Sequence, residues 1–220
     1  HWLASAGGMG VLERGGNAFD AAVATGLTLQ VVEPHLNGPA GEVPIIFHAA
    51  NTNTQHVISG QGPAPGGVSI EHFEALGLDL IPGTGLLAAC VPSAFDSWML
   101  LLRDHGTLTV REVLAPAIHY ARHGYPVLDR IQAAIAALTR EFTEHWPSSG
   151  AIYLPQGRPP ATGSLLTNPA LADTYERLVQ EAESHQGSRE NQIDAARGCW
   201  HDGFIAHAID DYSRKTEIID

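Results

Sequence analysis

Positive charge is scarce in this chain. Lys and Arg number 12 against 24 Asp and Glu, giving a formal charge of −12 over 220 residues, and Lys215 is the single lysine. Phosphate recognition rests on clustered cations, so nonspecific nucleic-acid binding is excluded. Cysteine is scarce too: Cys90 and Cys199 are too few and too far apart for a disulfide framework or a zinc site. Long apolar runs are missing. Runs such as residues 98–102 fall far short of the roughly 20 residues that a membrane span needs. No basic flank, apolar stretch or cleavage pattern follows His1, so no export signal is expected there. What is present, 44% apolar and only 16% charged residues, describes a folded globular chain. It suffices for one medium domain or most of a larger one.

The few cations are also unevenly placed. Between Arg14 and Arg103 there is no Lys or Arg, yet Asp20, Glu33, Glu42, Glu71, Glu74, Asp79 and Asp96 lie in that stretch. A ligand bound there meets no fixed cation to pair with a carboxylate or phosphate.

Periodicity and punctuation predict a mostly helical chain with one β-hairpin. Residues 9–14 open it as a helix, and Gly15-Gly16 supply a stop. Asn17 caps residues 18–32, so apolar all round that the helix must be buried; Asp20 suits its positive end. Residues 43–48 and 55–59 form the hairpin, and a short helix covers 70–76. The second half is helical over 93–103, then from the Thr109–Glu112 capping box to about Arg122, with Pro116 kinking or restarting that helix. Asp129 caps 130–145, which Pro147 closes. Asn168-Pro169 starts a helix to about Glu183, and 188–199 and 204–213 complete the set. No repeat, linker or internal boundary divides residues 1–220.

Internal motifs yield no catalytic site. His119 and His123 stand at i and i+4, but no third ligand is near in sequence, so a solvated helix face is expected and no metal is assigned. The glycine-rich 60–67 stretch is not a dinucleotide fingerprint, and with no Lys before Lys215 a Walker-type loop is excluded. There is no Gly-x-Ser-x-Gly elbow. Cys90, in the apolar 86–91 run, is expected to be a buried, inert thiol.

The order of several motifs carries more than any one of them. Residues 8–24, with Gly15-Gly16-Asn17-Ala18-Phe19-Asp20-Ala21-Ala22 at their centre, resemble the opening of the γ-glutamyltranspeptidase family. Val32-Glu33-Pro34-His35, the glycine run over 38–47, Ala64-Pro65, Pro82-Gly83-Thr84-Gly85 and Val91-Pro92-Ser93-Ala94 follow in the same order. So do residues 105–108, 114–118, 124–127, 163–174 and 203–206.

The resemblance implies an α+β fold: the mostly helical N-terminal part of the large subunit of an N-terminal-nucleophile hydrolase, whose complete form is an αββα sandwich. It implies a zymogen that cleaves itself to free a Thr nucleophile, which then transfers an acyl group from a γ-glutamyl or related acyl amide to water or an amine. No Thr-Thr-His or Thr-Ser-His junction occurs in these residues, so no catalytic residue is assigned here and the chain alone is expected to be inactive. Its partners are then a small-molecule acyl-amide substrate and the C-terminal, small-subunit part of the same precursor, with no cofactor, nucleic acid or membrane span.

In glutamyl-specific members an Arg shortly before the Ala-Pro pair grips the substrate α-carboxylate. That position falls on Gln61, whose amide supplies no charge-assisted bidentate clamp. This departure resembles the acylase-type branch of the family. Gln61 is therefore the substrate-facing candidate, with Asn37 and Gly38 as a nearby backbone loop. The alternative is a non-catalytic, truncated domain with a binding or assembly role. The compartment stays open, cytoplasmic being slightly favoured over periplasmic or extracellular.

Overall fold

The computed structural model describes residues 1–215. Among them the chain forms eleven α-helices and four short strands, an α+β composition dominated by helix. Two compact units emerge: His1–Gly38 with Trp98–Ala196, and Pro39–Ser97 with the described residues from Arg197 onward.

The first unit is built on α1 (Trp2–Glu13) against α2 (Ala18–Val32). α1 begins seven residues before the expected Met9, because Ala4, Gly8 and Val11, at i, i+4 and i+7, are buried as one small-residue stripe. Packing overrides the low helix propensity of its glycines. α2 has the expected bounds, with both bonds of an Asn17–Asp20 capping box and ten buried residues, Asp20 among them. α5 (Val110–His123) carries the Thr109–Glu112 capping box and runs through Pro116 as a single helix.

The expected helix over 130–145 is instead broken into α6 (Asp129–Ala137) and α7 (Thr139–Glu144). At the break the Thr139 hydroxyl donates to the carbonyls of Ala136 (2.9 Å) and Ile135 (3.3 Å), competing with the main-chain ladder. Asp129 is the first helical residue, not the cap. Pro147 opens α8 (Pro147–Tyr153) from its first turn. α9 (Pro169–Ser184) starts under Asn168 as expected. A two-residue pairing, β3 (Tyr125–Pro126) with β4 (Leu165–Leu166), had no counterpart in the sequence reading; it is too short to leave a period-2 signal.

The second unit holds the hairpin β1 (Ile45–Ala49) and β2 (Thr54–Ile58), antiparallel from Ile45↔Ile58 to Ala49↔Thr54. α3 (Ile70–Ala75) follows. The start of α4 (Ala94–His105), the end of α10 (Arg189–His201) and α11 (Phe204–Lys215) also belong to it. Within this unit Asp96 accepts from Arg197 Nε at 2.6 Å and lies 3.1 Å from His201 Nε2, while Phe95 stacks on Trp200 with ring centroids 5.3 Å apart. Burial pushes the Asp96 carboxyl up, but hydrogen bonds from Arg197 and His201 and their charges hold it below the ordinary range.

Candidate functional site

The hairpin register leads directly to Gln61. Its pairs satisfy one alignment up to Ile45↔Ile58, and the next bond outward runs from Val43 N to Gly60 O at 2.9 Å. A third segment closes on the same point. Ser93 Oγ donates to Gly60 O at 2.7 Å, Ala94 N to Gly41 O at 2.9 Å, and Val91 N to Pro63 O at 3.0 Å. Loops 41–43, 60–63 and 91–94 are thus clasped by main-chain and hydroxyl bonds.

Two glycines make the approach feasible. Gly60 has φ +59°, and a Cβ there would sit 1.8 Å from Val43 O; a Cβ on Gly62 would sit 1.6 Å from Val91 O. Neither contact is survivable without moving the backbone, so this clasp requires glycine at both positions.

Gln61 lies between these two anchored glycines, and its side chain is exposed. Glu42, also exposed, lies between Gly41, whose carbonyl is bonded, and Val43, whose amide is bonded. Sequence reading singled out Gln61 but not Glu42; the signal that finds it is the hairpin register, extended by one bonded pair. No Lys or Arg occurs in Pro39–Ser97, and the two arginines further along this unit, Arg197 and Arg214, are ion-paired with Asp96 and Asp210.

Asn37 and Gly38 belong to the first unit and Gln61 to the second. The Asn37 side chain donates to Glu33 O at 3.1 Å and Leu29 O at 3.4 Å, satisfying carbonyls at the end of α2. Gly38 has open space where a Cβ would stand. Cys90 is exposed, contrary to its expected burial, while Cys199 is buried. An apolar run of six residues does not distinguish a core strand from a surface segment, and 86–91 is a single 3-10 turn, Leu86–Ala88, followed by loop.

His119 and His123 have ring centroids 4.6 Å apart, and His123 Nδ1 lies 3.1 Å from His119 O. Among the described residues no group of three or more His, Cys, Asp or Glu is placed to hold a metal, and no helix is long and apolar enough to cross a membrane.

The γ-glutamyltranspeptidase family model matches residues 4–211. The glutathione hydrolase-like YwrD proenzyme of Bacillus subtilis is 33% identical, covering 84% of this chain and 35% of its own length. The acylase ACY 1 proenzyme of a Pseudomonas species is 33% identical over 82% of this chain and 34% of its own. The solved structure of LmbA2991HD superposes with a TM-score of 0.92 at 52% identity, over 98% of this chain and 37% of that one. The chain therefore spans about a third of the length of these relatives. With the motifs in order, the helical fold that carries them and a family match over nearly every described residue, the chain belongs to the γ-glutamyltranspeptidase family.

Proposed function

We propose that these residues are the N-terminal, large-subunit part of a self-processing acyltransferase and amide hydrolase, acting on γ-glutamyl or related acyl amides. The single observation that carries the reading is the family match over residues 4–211. The nucleophile is a Thr freed elsewhere in the precursor, so the chain alone hydrolyses nothing. Its α-amine takes the hydroxyl proton, the Thr oxygen attacks the amide carbonyl, and the amine leaves. Water or a second amine then accepts the acyl group.

In this scheme the chain supplies substrate contacts. Gln61 offers an uncharged amide to the acyl group, held in place by the clasp around Gly60 and Gly62, while Asn37 and Gly38 shape a second stretch of backbone. The relatives named hydrolase-like and acylase support amide cleavage more than any one donor.

The test is the intact mass of the protein expressed from its complete reading frame, before and after incubation at neutral pH. Two fragments, the smaller beginning with Thr, are expected. A single uncleaved chain without amidase activity would overturn the enzymatic reading. Gln61→Ala in the processed protein is expected to alter KM for the donor with little effect on self-cleavage.

A further inference from the structure

We infer that Glu42 and Gln61 act together as the charge filter for the acyl donor, admitting acyl groups that carry an ammonium and turning away those that carry only a carboxylate. The inference rests on the proposed function, because it takes Gln61 to face the donor.

The argument is one of register and charge. Val43 N to Gly60 O is the last bond joining the two arms of the hairpin, so Glu42 and Gln61 are the next residues outward, one on each arm. Both are exposed. The backbone is pinned on either side of each: Gly41 O by Ala94 N and Val43 N by Gly60 O around Glu42, Gly60 O and Pro63 O around Gln61. Such flanking anchors fix where the two side chains start, which is what a selective contact needs.

The charge is one-sided. Between Arg14 and Arg103 the sequence supplies no Lys or Arg. Arg197 is held by Asp96 and Arg214 by Asp210. A donor group reaching Gln61 therefore meets a neutral amide and a neighbouring carboxylate, with no cation on Pro39–Ser97 to offset it. An amide hydrogen-bonds either sign of partner, so the sign preference comes from Glu42. It repels a carboxylate and attracts an ammonium.

The experiment uses the complete, processed protein and three 4-nitroanilides that differ in the charge of the acyl chain. They are 4-aminobutyryl, carrying an ammonium; γ-glutamyl, carrying both charges; and glutaryl, carrying a carboxylate. The expected order of kcat/KM is 4-aminobutyryl, then γ-glutamyl, then glutaryl. Glu42→Gln, nearly isosteric and on the surface, is expected to raise the glutaryl value and lower the 4-aminobutyryl value by roughly five- to tenfold each, the size of one partly screened charge pair. Added salt should compress the same ratio. Gln61→Arg is expected to move preference toward glutaryl further still.

Hydrolysis with glutaryl preferred, or a ratio that Glu42→Gln leaves unchanged, would overturn the charge filter while leaving the amide hydrolase intact. Hydrolysis of none of the three by a protein that also fails to self-cleave would overturn the parent reading, and the filter with it.

Discussion

Asp20 shows how much one residue can hold. Its buried carboxylate accepts from Asn17 N (2.8 Å), Thr107 N (2.8 Å), Thr107 Oγ1 (2.7 Å) and Leu108 N (3.0 Å). Burial pushes its pKa up, but the amides of Leu108, Asn17 and Thr107 and the Thr107 hydroxyl together hold it below the ordinary carboxylate range. A lowered folded pKa means stability that is present above the unfolded value of about 3.9 and lost as pH falls through the folded one. Asp20→Asn places an NH2 against donors, and should cost about 2–4 kcal/mol at neutral pH. Chemical denaturation against pH should show this cost shrinking on the acid side, below about pH 4, where the wild-type carboxylate also protonates. A cost that stays constant with pH would show that the carboxylate charge is not what matters. At the candidate site, Gly62→Ala drives a Cβ into Val91 O. It is expected to cut kcat/KM of the complete protein at least tenfold by moving the loop that carries Gln61, whereas Gly66→Ala, with open space around it, should be silent.

At the scale of elements, the capped helices were legible and the break was not. Asn17 with Asp20, Thr109 with Glu112, and Asn168 before Pro169 are local signals: each satisfies free amides of its own first turn. Those helices begin where the sequence places them. Thr109→Ala should therefore cost about 1 kcal/mol, read from the denaturation midpoint. The start of α1 and the break before Thr139 depend on neighbours distant in sequence or on a hydroxyl choosing between carbonyls, which no window of sequence displays.

Arg189 is another such case. It reads as an ordinary residue near the start of α10, yet its guanidinium donates to Leu102 O (2.5 Å), Leu108 O (2.8 Å) and Arg103 O (3.4 Å). It thereby holds, from another side, the segment that Asp20 also holds. Arg189→Met should cost about 2 kcal/mol. Combined with Asp20→Asn it should cost less than the sum, since either change alone frees the same loop. Additive losses would show that the two anchors work independently.

On the whole chain the hairpin leaves an apolar pair in the open. Ile46 and Val57, directly opposite each other, are 77% and 70% exposed. Side chains of this kind on a two-stranded hairpin invite association. Replacing both with Thr should raise the solubility of the isolated chain, measured by sedimentation, without lowering its melting temperature. Under the proposed reading, in which the rest of the precursor packs on this part, the same double change should destabilise the complete protein.

What the sequence determined alone is what short-range chemistry can write: the helical majority, the capped starts, the hairpin, and the ordered motifs that mark the family. It also determined the cation-free stretch around Gln61, because counting charges needs no coordinates. Tertiary structure decided what depends on approach between distant segments. It buried Asp20 under the 107–108 amides, put Cys90 at the surface, and clasped three loops through two glycines. It also bonded Val43 to Gly60, the chain neighbours of Glu42 and Gln61, since hydrogen-bond register, not chain proximity, chooses which segments meet.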